Sequence, residues 1–416
     1  MERSAAMTEP AKTEPAKTEP AKTEPAKTEP AEIPGLLYSQ NEEDLRQAVK
    51  DLYAGRCQPA DVLARIETDE TYDLPLWRTL AADLGCAGLL VPESLGGAGA
   101  SYREAAVVAE ETGRSVAPVP FLGSAVVATT ALAAVIGPGS SEDDRKLLAS
   151  VAEGTTTAAL AVPFETPPPG TGPGSDLPDL VRVVGGDQAG TSLTGTVPRL
   201  ADALPADVLL VPADGVPYGL YLVDAQAAGV TRSPLVSLDS TRRLCDVTLD
   251  AVPARRLATG DAAVAALGAA LSAGAAMLAA EQLGLAQQCL DMTVSYAKER
   301  RQFARQIGSF QAIKHRLADL YIAITQARAA SRYAAACLAD GSQDAPVAVA
   351  MAKAYCGETA VKAAEECVQL HGGIGFTWEH PAHLYLKRAK SGSVAFGTPD
   401  RHRAALAGLV DLPGPA

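Results

Sequence analysis

The carboxylate of Glu281 lies three residues after Leu278 and four before Leu285, so on a helix it shares a face with the apolar stripe Leu271, Leu278, Leu285 and Met292. A carboxylate turned towards a core is costly unless it is paired or used. Two readings follow: a general base, or the partner of a buried Arg or backbone donor. Downstream, KERRQFARQIG (Lys298–Gly308) interrupts the apolar pattern and sets Arg300 and Phe303 where a guanidinium and an aromatic ring either reach a ligand or stay in solvent. The run HGGIG (His371–Gly375) offers backbone without Cβ at Gly372, Gly373 and Gly375, which suits close approach of a ligand and equally suits a helix C-cap. All five histidines (His315, His371, His380, His383, His402) fall in the same region, but no HExxH and no carboxylate cluster accompanies them, so no metal site is expected. The seven cysteines (Cys57, Cys86, Cys245, Cys289, Cys337, Cys356, Cys367) show neither a CxxC pair nor metal-like spacing and read as buried thiols in a reducing compartment.

The elements that must position these groups follow from composition and periodicity. A chain of 416 residues, 47% hydrophobic and 20% charged, can fill two or three folded units. Residues 1–34 carry the repeat TEPAK, whose Lys and Glu nearly cancel and whose side chains have almost nothing to bury; a disordered tail is expected. Residues 35–154 read as short helices broken by turns, with Trp77, Leu80 and Leu84 on one face and a glycine-rich connection at Leu84–Ser101. Residues 155–257 read as short antiparallel strands, interrupted by the Pro- and Gly-rich loop Pro167–Leu180. Residues 258–412 return to helix, and Ile313, Leu317, Leu320, Tyr321 and Ile324 add a second stripe that suits a four-helix bundle. The fold class is therefore α+β. A net charge of −13 without a basic patch argues against nucleic acid as a partner. No apolar run is read as a membrane span and no apolar signal core is found at the N-terminus, so a cytoplasmic protein is expected.

The order helical, β, helical and three C-terminal motifs resemble the acyl-CoA dehydrogenase family across essentially all of the chain beyond the tail. YAKERRQFARQIGSFQAIKHRLADL (Tyr296–Leu320) is similar to the family's helix–loop–helix whose Arg and Phe reach the FAD of a neighbouring subunit, which implicates Arg300, Phe303 and Gln311. QLHGGIGFTWEHP (Gln369–Pro381) resembles the segment that holds the adenosine and pyrophosphate end of FAD, which implicates Gln369, Gly372 and Gly373. AKSGSVAFGTPDRHR (Ala389–Arg403) is similar to the segment that carries the catalytic Glu before a Gly-Thr pair; Phe396 stands in that place, before Gly397 and the FAD-contacting Thr398. The family's second place for the base, two turns before Glu281, is Gly274, followed by Ala275. Further departures are Ala304 where Gly is usual, Asp400 where a flavin-contacting Gln is common, and Pro167–Asp176, which only loosely matches the flavin-contacting Gly-Ser loop.

The family reaction removes an α-proton with a carboxylate while the β-hydride passes to flavin N5, so the resemblance implies FAD and an acyl-CoA substrate while the customary base is missing. GGIGFTWEH…HLYLKRAK resembles actinobacterial members that act on bulky acyl-CoA such as sterol fragments, some of which pair a base-bearing with a base-lacking subunit. Three readings stay open. The chain is a dehydrogenase with Glu281 or another group as base, working as a homo-oligomer; it is the silent partner of a base-bearing sister in a heterotetramer; or it runs another flavin reaction, such as oxygenation, that dispenses with the Glu.

Overall fold

The computed structural model describes residues 35–171, 177–184 and 190–412. The TEPAK repeat lies outside them, as does the end of the Gly-Ser-like loop (172–176). Ser39 starts the folded body with a capping box: its hydroxyl accepts the Glu42 N–H at 3.3 Å while the Glu42 carboxylate accepts the Ser39 N–H at 2.5 Å. The first helical layer comprises α1 (Gln40–Arg56), α2 (Pro59–Ile66), α3 (Leu74–Arg78), α4 (Tyr102–Ser115), α5 (Thr129–Val135) and α6 (Glu142–Ala152). A π-helical stretch, Phe121–Ala128, leads into α5.

Eight strands follow: β1 (Ala158–Leu160), β2 (Val181–Val184), β3 (Ser192–Leu200), β4 (Val208–Ala213), β5 (Gly219–Asp224), β6 (Val230–Pro234), β7 (Cys245–Pro253) and β8 (Arg255–Thr259). They form two four-stranded sheets, ordered β1-β4-β5-β8 and β2-β3-β7-β6, with their own apolar core between them. Among the described residues the ladder pairing departs from the all-antiparallel expectation at β1, with a single parallel bridge besides at Arg182–Asp214. β1 pairs β4 in parallel, because the chain leaves β1 for the other sheet through β2 and β3 before β4 returns alongside it.

The last region is built on α7 (Asp261–Glu299), α8 (Gln311–Ala339) and α9 (Ala345–His371), with a two-residue-strand hairpin, β9 (Arg301–Gln302) and β10 (Arg305–Gln306), between α7 and α8. Two shorter helices, α10 (Ala382–Val394) and α11 (Pro399–Leu409), pack on α9 in place of one long fourth helix. α7 also crosses α4 at backbone contact. A Cβ on Gly113 would stand 1.9 Å from the Glu281 carbonyl oxygen and one on Gly284 1.8 Å from that of Glu110, so both positions require glycine. By length and composition α7 could cross a membrane, since residues 262–280 carry no charge, which corrects the reading that no such run exists. However, 67% of its apolar window is buried inside the protein, where α4, α5 and α9 cover it, so its composition is that of a core helix.

Candidate functional site

The α10–α11 connection is tight. Phe396 and Gly397 both have positive φ, +51° and +96°, and the Thr398 hydroxyl then caps α11 by accepting the Arg401 N–H at 3.3 Å. For a bulky L-residue that conformation costs about 1–2 kcal/mol. It places the Phe396 ring in the core, edge-on to Phe164 with centroids 5.6 Å apart, while its N–H donates to the Phe164 carbonyl at 2.9 Å. The ring lies over Gly274: a Cβ added there would meet Phe396 Cζ at 2.8 Å and Val127 Cγ2 at 2.9 Å. The two positions that the resemblance implicates as places for a base, 396 and 274, thus converge on one spot. Here one supplies an aromatic ring and the other has no side chain at all.

A small cavity of about 30 Å³ adjoins this spot, walled by Leu122, Gly123, Val127, Phe164, Phe396 and Asp202. Asp202, which sequence reasoning missed, is the carboxylate on that wall, and both its oxygens are engaged. Oδ1 accepts the Tyr72 hydroxyl at 2.8 Å and Oδ2 the Gly123 N–H at 2.9 Å. Burial, and then the Asp202 charge, push the Tyr72 hydroxyl well above its ordinary range, so it remains a donor.

Glu281 does not reach this cavity wall. Its oxygens accept from Arg242 at 2.7 and 3.2 Å and from Arg388 Nε at 2.7 Å, and Arg388 in turn donates to Asp239 and to the Thr241 hydroxyl. All four charged side chains are nearly inaccessible. Burial pushes the Glu281 carboxyl up, but Arg242 and Arg388 outweigh it and hold the group down to about 2, far from a base that works near neutrality. The network joins the β region, through Asp239–Arg242, to α7 and α10.

Two further buried bases surround the 396 turn, and neither was singled out from the sequence. Lys353 on α9 donates to the Gly392, Gly397 and Ser393 carbonyls at 3.1, 3.3 and 3.5 Å. His402 Nε2 lies 2.8 Å from the Phe396 carbonyl, and burial drives its ring down to about 4, so it is neutral and donates through that nitrogen. A signal for Lys353 existed in the sequence: it follows Val349 by four and precedes Cys356 by three, the same intrusion on an apolar face that marks Glu281.

The remaining candidates gather at one end of the helical bundle, where α7 ends, α8 begins and α9 ends. Arg300 caps α7 and is exposed; Phe303, at the hairpin tip, is 87% exposed. Phe303 and Ala304 have φ of +51° and +63°, which explains why glycine is favoured at the second of these positions. Tyr296 on α7 stacks on His371 at 4.4 Å and so ties the end of α7 to the Gly372–Gly373 turn. No atom lies within 4 Å of a Cβ built on Gly372 or Gly373, and Gln311 and Gln369 are exposed beside them. A guanidinium, an aromatic face, two amides and open Cβ-free backbone are the donor set that a pyrophosphate and a flat heterocycle need, so these residues fit the adenosine end of FAD. Thr398 is elsewhere. It follows Phe396, which packs on Gly274, and Gly274 precedes Arg300 by 26 residues of one helix, about 39 Å at 1.5 Å per residue.

Residues 39–155 match the acyl-CoA dehydrogenase N-terminal domain and residues 264–409 the acyl-CoA dehydrogenase C-terminal domain. The acyl-CoA dehydrogenase IpdE2 of Mycobacterium tuberculosis is 36% identical, over 86% of this chain and 94% of its own length. Among solved structures, the Tcur3481–Tcur3483 steroid ACAD G363A variant aligns with a TM-score of 0.78 and 33% identity over 89% of this chain and 98% of that one. The ChsE4–ChsE5 complex from Mycobacterium tuberculosis aligns with a TM-score of 0.79 and 29% identity over 92% and 100%. With the two domain matches bracketing a β region of the expected order, the chain belongs to the acyl-CoA dehydrogenase family, oxidoreductases that act on the CH–CH bond of acyl-CoA thioesters.

Proposed function

We propose that this chain is the base-lacking subunit of a heteromeric, FAD-dependent acyl-CoA dehydrogenase. The observation that carries the reading is the packing of Phe396 on Gly274, which fills the reacting position with a hydrocarbon ring and leaves it no carboxylate. FAD, when bound, supplies the hydride acceptor. Arg300, Phe303, Gln311, Gln369, Gly372 and Gly373 of this chain hold the adenosine and pyrophosphate end. Gly274, against which Phe396 packs two residues before Thr398, stands about 39 Å along α7 from Arg300, and this separation supports a flavin shared across an interface. The sister subunit supplies the carboxylate that removes the α-proton.

The composite names of two structural relatives, ChsE4–ChsE5 and Tcur3481–Tcur3483, support a two-component assembly, and the steroid description of the second supports a bulky acyl-CoA thioester as substrate. The seven cysteines are free and buried, in keeping with a reducing cytoplasm. The deciding experiment incubates the purified chain, alone and with its sister, with an acyl-CoA in deuterium oxide and follows α-exchange. The expected result is exchange only with the sister present, and a gain of exchange by the isolated Phe396→Glu chain. Robust exchange by the unmutated chain alone would remove the reading.

A further inference from the structure

Lys353 has no accessible surface, and no carboxylate among the described residues pairs with it; its partners are three carbonyls. Gly392 and Ser393 belong to the last turn of α10, where carbonyls lack intrahelical donors and the helix dipole is negative. Gly397 belongs to the turn beyond. One ammonium therefore ties the end of α10 to the far side of Phe396. Between these anchors Phe396 holds a left-handed conformation, with its carbonyl taken by His402 and its N–H by the Phe164 carbonyl. A bulky residue keeps such a conformation only where its surroundings over-determine it, and these contacts are those surroundings.

We propose that Lys353 is the positioning residue for side chain 396: by gathering carbonyls on both sides of the turn, with His402 holding the one between, it aims residue 396 at Gly274. Its bearing on proton abstraction rests on the reading of 396 as the base position; the geometric claim does not. An ammonium without a counter-ion is unfavourable in a core, and burial lowers Lys353 to about 7, so the clasp changes charge near neutrality. The titratable side chains that act on it or feel it are Cys356 on its own helix and His402 from α11; α10 presents carbonyls to it.

The test replaces Phe396 by 4-fluorophenylalanine in the full chain and follows its fluorine resonance between roughly pH 5.5 and 9. A single resonance that titrates with a midpoint near 7 is expected. In Lys353→Met the titration vanishes and the Phe396 amide exchanges about tenfold faster or more, while amides in the middle of α8 keep their rates. Lys353→Arg, which retains a cation and its donors, restores slow exchange. A Phe396 amide that in the unmutated chain exchanges as fast as surface amides overturns the proposal even if neither variant folds, and so does acceleration in Lys353→Met that is equal throughout the chain. Comparing Phe396→Glu with and without Lys353→Met separates the two ideas. No α-exchange in either, with the local loosening present, rejects the base position and keeps the clasp; equal exchange in both, without loosening, rejects the clasp and keeps the base position.

Discussion

Replacing Glu281 by Gln decides between the two roles that its place on an apolar face allows. In the folded chain Arg242 and Arg388 hold its carboxyl down from 4.5 to about 2, which at about 1.4 kcal/mol per pH unit is roughly 3 kcal/mol of stability at neutral pH. The sign follows from linkage. A depressed carboxyl contributes fully above its ordinary value, and the contribution fades as pH falls from about 4.5 through 2. The Gln side chain also removes the carboxylate that pairs with both Arg242 and Arg388 inside the core, leaving Asp239 as the ion-pair partner of Arg388. Breaking a buried ionic cluster in this way costs about 3–5 kcal/mol. Taking about 2 °C per kcal/mol for a chain of this size, the melting temperature should fall by roughly 6–10 °C at pH 7. The variant should also lack the part of the acid-induced loss that belongs to Glu281. Thermal unfolding from pH 3 to 7, read beside α-proton exchange in the assembled enzyme, measures both. A Glu281→Gln protein as stable as the parent but devoid of exchange would refute the ionic-lock argument and restore Glu281 as a base.

Arg300→Ala should weaken FAD binding to the assembly by ten- to a hundredfold, the range of about 1.5–3 kcal/mol for a charge-assisted hydrogen bond; a flavin titration with unchanged affinity removes it from the site. Deleting residues 1–33 should leave the melting temperature unchanged. Extending the deletion to residue 38 should cost about 1–3 kcal/mol, because Arg103 donates to the Gly35 and Leu37 carbonyls and Tyr38 lies between Arg46 and Arg332. Equal melting temperatures for the two truncations would contradict this. Lys353 gives the pH dependence on the alkaline side: between about 7 and 10.5 the unfolded chain binds the extra proton, so stability should rise with pH, by about 1–2 kcal/mol from pH 7 to 8.5. Denaturant midpoints at those two pH values check it, and Lys353→Met should abolish the difference.

By itself the sequence determined what depends on neighbours along the chain. The seven-residue spacing of Leu271, Leu278, Leu285 and Met292, about two helical turns, and the short β-branched runs after Thr155 specify helix and strand because side-chain direction repeats with backbone geometry. The same periodicity put Glu281 on a buried face, and residue types alone give no carboxylate at 396 or 274, the positions that the resemblance implicates. What pairs with what was left to the tertiary structure, because contacts between distant residues depend on how elements cross. The partners of Glu281 come from the β region, 39 residues earlier, and from α10, 107 residues later. Asp202 meets Tyr72 across 130 residues, and Lys353 finds three carbonyls that have no side-chain identity to read. The parallel pairing of β1 with β4 follows from a detour through the second sheet, which no local pattern encodes. Only folding brings Phe396 onto Gly274, and only the length of α7 sets that packing about 39 Å from Arg300.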